Sequence, residues 1–323
     1  MYDGPPALTL ARAVTSWALD LPVLAAVLAA AGLYLAGMRR VRRAGQRWPA
    51  GPAVAFLAGG TGAVVIATMS FLGVYQGVLF SVRAAQNVLL LLVAPLFLAL
   101  GRPVSLVTAA WPRLGDRAVG AVHSRAARVL TFPAITALVL VIVPFVLYFT
   151  PWYEAGLRSG PVRELTYGAL LAPGLVFFWT LLRIDPVPKA YPYLVSLWVT
   201  GAEVVGDAVL GLAVIADQHL IAGPYYQALA RPWGPVPRSD QVIGGGALWI
   251  LGDIVGLPFL AAQLIQMIRE DEQEAAQVDA ELDARAAAAG TDAAGAAPAA
   301  ADTRPWWESD DRFTGRFRRP RGG

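Results

Sequence analysis

Apolar residues in this chain come in long blocks separated by short polar clusters. Seven blocks stand out, near 16–37, 52–73, 79–100, 130–149, 161–182, 192–216 and 241–268. Each matches the roughly 20 apolar residues that an α-helix needs to cross the hydrocarbon core of a bilayer. The pattern therefore predicts an all-α, polytopic transmembrane bundle of about seven spans. Composition points the same way: of 323 residues, 56% are hydrophobic and only 15% charged, with a mean hydropathy of +0.52. A soluble domain of this length carries more charge. The first block lacks a basic region before it and continues for a full span, so it does not read as a cleaved signal peptide.

The charges between the blocks give an orientation. The 38–49 loop holds Arg39, Arg40, Arg42, Arg43 and Arg47, and the 101–129 loop holds Arg102, Arg113, Arg117, Arg125 and Arg128. The 183–191 loop adds Arg183 and Lys189, whereas the alternate loops carry only Arg158, Arg231 and Arg238. Cytoplasmic loops are the basic ones, which places the N-terminus outside and the C-terminus in the cytoplasm of a bacterial plasma membrane. Orientation explains the basic loops, so they do not call for nucleic acid. Residues 1–268 form the expected membrane bundle, 269–286 a charged cytoplasmic helical extension, and 287–323 a disordered Ala/Gly- and Arg-rich tail. Trp306, Trp307 and the arginines around them suit either a solvated tail or contact with anionic lipid or a partner.

Polar residues inside the blocks are the candidates for function, because they are costly there. The stretch "VLFSVRAAQNVLLLLVAPLFLALGRP" (78–103) contains Arg83, Gln86 and Asn87 within about one helical turn. The fifth block opens with Arg163, Glu164 and Tyr167, and the sixth carries Glu203 and Asp207 four residues apart, on one helix face. With the orientation above, all eight lie between the outer end and the middle of the membrane. Arg83 and Arg163 are expected to pair with some of Glu164, Glu203 and Asp207. Such pairs serve equally well as glue between helices, and both arginines are long enough to reach the outer headgroups.

The rest of the chemistry is narrow. There is no cysteine, there are two histidines (His123 and His219), and the four methionines are scattered. No nucleophile elbow, phosphate loop or zinc motif occurs, and nothing suggests an enzyme. "GGTG" (59–62) and "GGGA" (244–247) read as places where helices approach closely. The last outer loop gathers Asp217, His219, Asp240 and Gln241. His219 is the one candidate for a residual metal ligand. Asp240 reads better as the N-cap of the seventh helix, and Asp253 as the source of an interhelical contact.

Several stretches together resemble the CtaG-type cytochrome c oxidase assembly factors in their actinobacterial form. They are "ATMSFLGVYQGVLFSVRAAQNVLLLLVAPLFLALGRPVSL" (67–106), "YFTPWYEAGLRSG" (148–160), "VFFWTLLRIDPVP" (176–188), "RPWGPVPRSDQVIGGGALWILGDI" (231–254) and "IREDEQEAAQVDAELDAR" (268–285). The resemblance implies a multi-span helical bundle, copper handling on the outer face, and haem-copper oxidase subunits or other assembly factors as partners, beside membrane lipids. Family members usually read LFS-x-H-x-x-Q-H in the third span. Here the phenylalanine, serine and Gln86 remain, and Arg83 and Asn87 stand at the two histidine positions. The histidine positions of the fifth span fall on Gly160, Arg163, Tyr167 and Ala169, and that of the sixth on Asp207. Asp240 and Gln241 match the family's DQ pair. No cofactor is expected from the residues present, because copper needs imidazole, thioether or thiolate donors and arginine has no lone pair to offer. The reading that follows is a divergent assembly-type membrane protein acting as scaffold or partner in oxidase biogenesis. A small-solute or ion transporter using the Arg/Glu/Asp cluster is the alternative, and a seven-helix receptor fits the spans alone.

Overall fold

A computed structural model describes residues 2–187 and 191–293. Lys189 and the tail from 294 onwards, with their expected roles, lie outside the described residues. All regular structure among the described residues is helical. Helices α1 (Leu21–Arg43), α2 (Ala50–Tyr75) and α3 (Phe80–Ala110) are followed by α4 (Pro112–Val122), and then by α5 (Pro133–Phe149) and the short α6 (Trp152–Arg158). After them come α7 (Gly160–Leu182), α8 (Tyr193–Ala216), a short α9 (Gly223–Ala228) and the long α10 (Pro237–Ala293). Among the described residues, six helices are long and apolar enough to cross a membrane. They become seven when α5 and α6, bent by 68° at Thr150–Pro151, count as one broken span. The seven blocks of the sequence correspond to these elements.

Boundaries moved for local reasons. The first span begins at Leu21 because Asp20 caps it, its carboxylate accepting the Val23 amide at 3.3 Å. The third continues past residue 100 to Ala110, with a break at Arg102, whose φ of 52° is left-handed. The seventh starts at Pro237, four residues earlier than expected. Residues up to Met267 form one compact unit. Beyond it α10 runs on to Ala293, and its side chains are exposed from Ile268 through Arg285.

In hydrocarbon, every backbone polar group must find its partner inside the protein. The two interruptions around α3 meet this demand in the same way. At its start, Tyr225 Oη donates to the Gly77 carbonyl at 3.0 Å, and the Asp240 carboxylate accepts the Phe80 and Ser81 amides at 2.8 and 3.3 Å. At the later break, Tyr34 Oη donates to the Gly101 carbonyl at 2.7 Å, and Asp185 accepts the Val104 and Ser105 amides, each at 2.8 Å. Both aspartates also accept from the hydroxyl of the capped serine. A tyrosine and an aspartate from distant parts of the chain thus seal each end.

The core lies among α3, α5, α7, α8 and α10, where Tyr148, Leu170, Phe177, Phe178 and Phe259 are buried. Two π-helical stretches, Ala55–Gly60 and Leu89–Val93, interrupt α2 and α3. At the second, α7 comes so near that a Cβ on Gly174 would overlap the Leu91 carbonyl oxygen. The glycine-rich stretches pack as expected. Gly59 and Gly60 lie under Phe97 and Leu98, and Gly211 of α8 faces Gly245 of α10 with the backbones in contact. A side chain at Gly211 would sit 2.6 Å from the Gly245 carbonyl oxygen, whereas Gly246 has nothing within 4 Å. Gly211→Val is therefore expected to destabilise the bundle by about 1–3 kcal/mol through overpacking. Gly246→Ala should be neutral or slightly stabilising. Unfolding in mixed detergent micelles, compared for the two variants, checks the contrast.

Candidate functional site

The first turns of α3 carry Arg83, Gln86 and Asn87, and the structure buries all three, leaving Arg83 only 1% exposed. Gln86 donates to the Ala67 carbonyl at 2.8 Å and, more weakly, to Tyr167 Oη at 3.4 Å. Tyr167 Oη donates in turn to Gln76 Oε1 at 2.9 Å, and the same oxygen accepts from Arg83 Nη1 at 3.5 Å. Asn87 Nδ2 donates to Tyr148 Oη at 2.8 Å. The Arg83 guanidinium lies 5.0 Å from the centre of the Tyr153 ring, and Tyr153 Oη shares a 2.9 Å hydrogen bond with Tyr226 Oη. Burial pushes the Tyr226 hydroxyl above the usual phenol range, so it stays neutral at physiological pH.

Arg83, Gln86 and Tyr167 are thus joined by hydrogen bonds through Gln76, and Asn87 is linked to them through the Tyr148 and Tyr153 rings. The ion pairs are not formed. Among the described residues no carboxylate lies within 4.0 Å of Arg83 or Arg163. Arg83 points among tyrosines, and Arg163 is half-buried with its Nε unpartnered. Glu164 turns away from Arg83, into an apolar groove of 380 Å³ between α1, α2 and α7 that Tyr167 also lines. Glu203 and Asp207 face α10, lying against Gly256 and Gly252 respectively, and Asp253 is near enough to act on both. The direction each side chain takes around its helix is not the expected one.

The two polar groups meet at one point. Asn87, Tyr148 and Asp207 line a small cavity of about 10 Å³, room for roughly one water molecule. Four members of the network, Gln76, Tyr148, Tyr153 and Tyr226, were not among the expected site residues. Tyr148 and Tyr153 do lie within "YFTPWYEAGLRSG", one of the stretches that carry the family resemblance.

The loop between α8 and α10 is organised by Asp240 and Gln241. Asp240 is not the N-cap of its own helix. That helix begins three residues earlier, and the Asp240 carboxylate, in a residue 1% exposed, caps α3 and lies 3.9 Å from Arg231 Nη2. Gln241 accepts the Ile221 amide at 2.9 Å and donates to the Val214 and His219 carbonyls at 3.2 and 3.1 Å, fastening the end of α8 to α10. Asp217 accepts the His219 amide at 2.9 Å, and the His219 side chain is 96% exposed. Asp240, Gln241, Arg231, Trp233 and Tyr226 line a surface hollow of 480 Å³.

These donors do not fit copper. Guanidinium, amide and phenol groups surround Arg83, and His219 stands alone in solvent with one carboxylate beside it. Among the described residues no group of three or more His, Cys, Asp or Glu side chains could hold a metal ion.

Comparison with known proteins adds a lineage. The family model of the cytochrome c oxidase caa3 assembly factor matches residues 32–270. An uncharacterized protein of Mycobacterium tuberculosis is 32% identical over 291 residues, which is 87% of this chain and 44% of that protein. An uncharacterized protein of Mycobacterium leprae is 30% identical over 290 residues, with the same two shares. The chain thus spans less than half the length of the curated relatives it matches. No solved structure matches.

Removing the Asp240 carboxylate would leave Arg231 without its acidic partner and the first amides of α3 uncapped. Asp240→Ala is expected to cost about 3–5 kcal/mol, the range for breaking a buried charge pair. His219→Ala should change stability by less than about 0.5 kcal/mol, as exposed sites do. Equilibrium unfolding in detergent separates the two.

Proposed function

Because the chain belongs to the cytochrome c oxidase caa3 assembly factor family, we propose that it serves respiratory oxidase biogenesis as a membrane scaffold without a copper site of its own. It is a multi-pass protein of the bacterial plasma membrane. The observation that carries the reading is the burial of Arg83 and Asn87 where the family resemblance leads one to expect a histidine pair. A permanently charged guanidinium cannot ligate a cation and repels it. The protein holds its partner, an oxidase subunit or another assembly factor, and performs no catalytic step.

The hollow formed by the 217–240 loop, rigidly tied through Asp240 and Gln241, supplies a firm surface for such a partner. The basic loops orient that surface to the outside of the cell, with the C-terminus in the cytoplasm. Transport is the weaker reading, since the cavity joining Asn87 to Asp207 has room for little more than one water.

Two outcomes are expected. The purified protein, exposed to copper and washed, retains less than stoichiometric metal, and the Arg83→His/Asn87→His double variant gains some. After crosslinking in its native membrane, the protein carries an oxidase component or assembly factor with it. Stoichiometric copper in the unaltered chain, or loss of the gene without effect on oxidase content, would sink the proposal. Orientation has its own test, made simple by the absence of native cysteine. A cysteine replacing Ala228 should react with a membrane-impermeant maleimide on intact spheroplasts, and one replacing Gly45 should react only after lysis.

A further inference from the structure

Arg83 is the largest fully buried side chain among the described residues, and no anionic group stands against its charge; only the Tyr153 ring face and the Gln76 oxygen do. Its one hydrogen bond, to Gln76, is at the 3.5 Å limit, its Nε has no acceptor, and no carboxylate lies within 4.0 Å of it among the described residues. Arginine does not escape by losing its proton, and an unpaired buried charge is among the most costly features a protein can hold.

The groups around it are also short of acceptors. Tyr148 Oη receives the Asn87 amide, and its own proton has no acceptor among the described residues. Tyr153 and Tyr226 share one hydrogen bond, which uses one of their two hydroxyl protons and leaves the other free. The Tyr148 and Tyr153 rings are neighbours, 5.3 Å apart between centres, and the guanidinium lies over Tyr153. Gly156 completes the enclosure, since a Cβ there would stand 2.8 Å from Arg83 Nη2. A permanent positive charge and three donors without an acceptor among the described residues (Arg83 Nε, the Tyr148 hydroxyl and one hydroxyl of the Tyr153–Tyr226 pair) therefore lie in one buried neighbourhood of α3, α5, α6 and α9.

We propose that Arg83, with the hydroxyls of Tyr148 and the Tyr153–Tyr226 pair, forms a binding site for a small monovalent anion of the halide class. An anion offers only acceptors and supplies the missing negative charge. A water molecule would accept the same donors but would add two more protons in need of partners and leave the guanidinium uncompensated. Access runs past the tyrosines. Tyr148 and Tyr153 line a surface hollow of 310 Å³, and Tyr226 lines the neighbouring 480 Å³ hollow. The site shares the buried Arg83 with the assembly reading, but the two are tested by different measurements, so either can fail without the other.

The test compares thermal unfolding of the full chain in detergent, with sodium chloride or bromide against sodium gluconate at equal ionic strength. Chloride and bromide are expected to raise the midpoint saturably by about 2–4 °C, and Arg83→Gln to abolish the difference. Tyr148→Phe should raise the half-saturating chloride concentration about tenfold, the loss of one hydrogen bond to a charged group. If Arg83→Gln does not fold, chloride-35 line broadening on the unaltered protein, reversed by bromide, gives the same answer. Equal midpoints in chloride and gluconate with no line broadening, or a chloride increment that survives in Arg83→Gln, overturns the proposal.

Discussion

A break beside a membrane-spanning helix leaves backbone groups without their helical partners, and this structure depends on how two such breaks are closed. At both, an aspartate takes two amides and a serine hydroxyl, and a tyrosine covers a carbonyl. A carboxylate suits the task because it accepts several bonds and its charge favours the positive end of a helix. Asp240 and Asp185 thereby fix the depth and rotation of α3. With α3 fixed, Arg83, Gln86 and Asn87 face the interior.

Inside that frame the polar groups fall into two clusters. Near the start of α3 there is a surplus of donors and positive charge around Arg83. Farther along, between α8 and α10, Glu203, Asp207 and Asp253 form a cluster of acids, in which Glu203 Oε1 and Asp253 Oδ1 have no hydrogen-bond partner among the described residues. Asn87 and Tyr148 stand between the two, at a cavity that Asp207 also lines. Glycines at 211, 245, 252 and 256 bring α8 and α10 close enough to enclose the acids without a bulky side chain between them.

Much of this was legible in the sequence, and the failures share one cause. Spans appear directly as apolar runs, and the glycines at 59–62 and 244–247 announced close packing. The depth of Arg83 or Glu203 follows from counting along a helix. Which neighbour a side chain meets depends on how each helix is rotated, and the π-helical turns at Ala55–Gly60 and Leu89–Val93 change that rotation without any periodic signature. Hence Arg83 was assigned carboxylate partners and found phenols. Asp240 was read as a local cap, as its position at a helix start suggests, because nothing local reveals a partner in α3. Tyr148, Tyr153 and Tyr226 carry no charge and fit the apolar pattern around them, so nothing in the sequence distinguishes them from core aromatics.

The distance along the chain between Asp240 and the amides it caps gives the bundle a history as well as a shape. Phe80 leaves the ribosome 160 residues ahead of Asp240, an interval on the order of ten seconds at bacterial elongation rates. Through that interval α3 is already in the membrane with its first amides open, and only arrival of the last span closes them. The final helix therefore acts as a latch on one of the first, and a chain interrupted before residue 240 lacks the carboxylate that accepts the Phe80 and Ser81 amides.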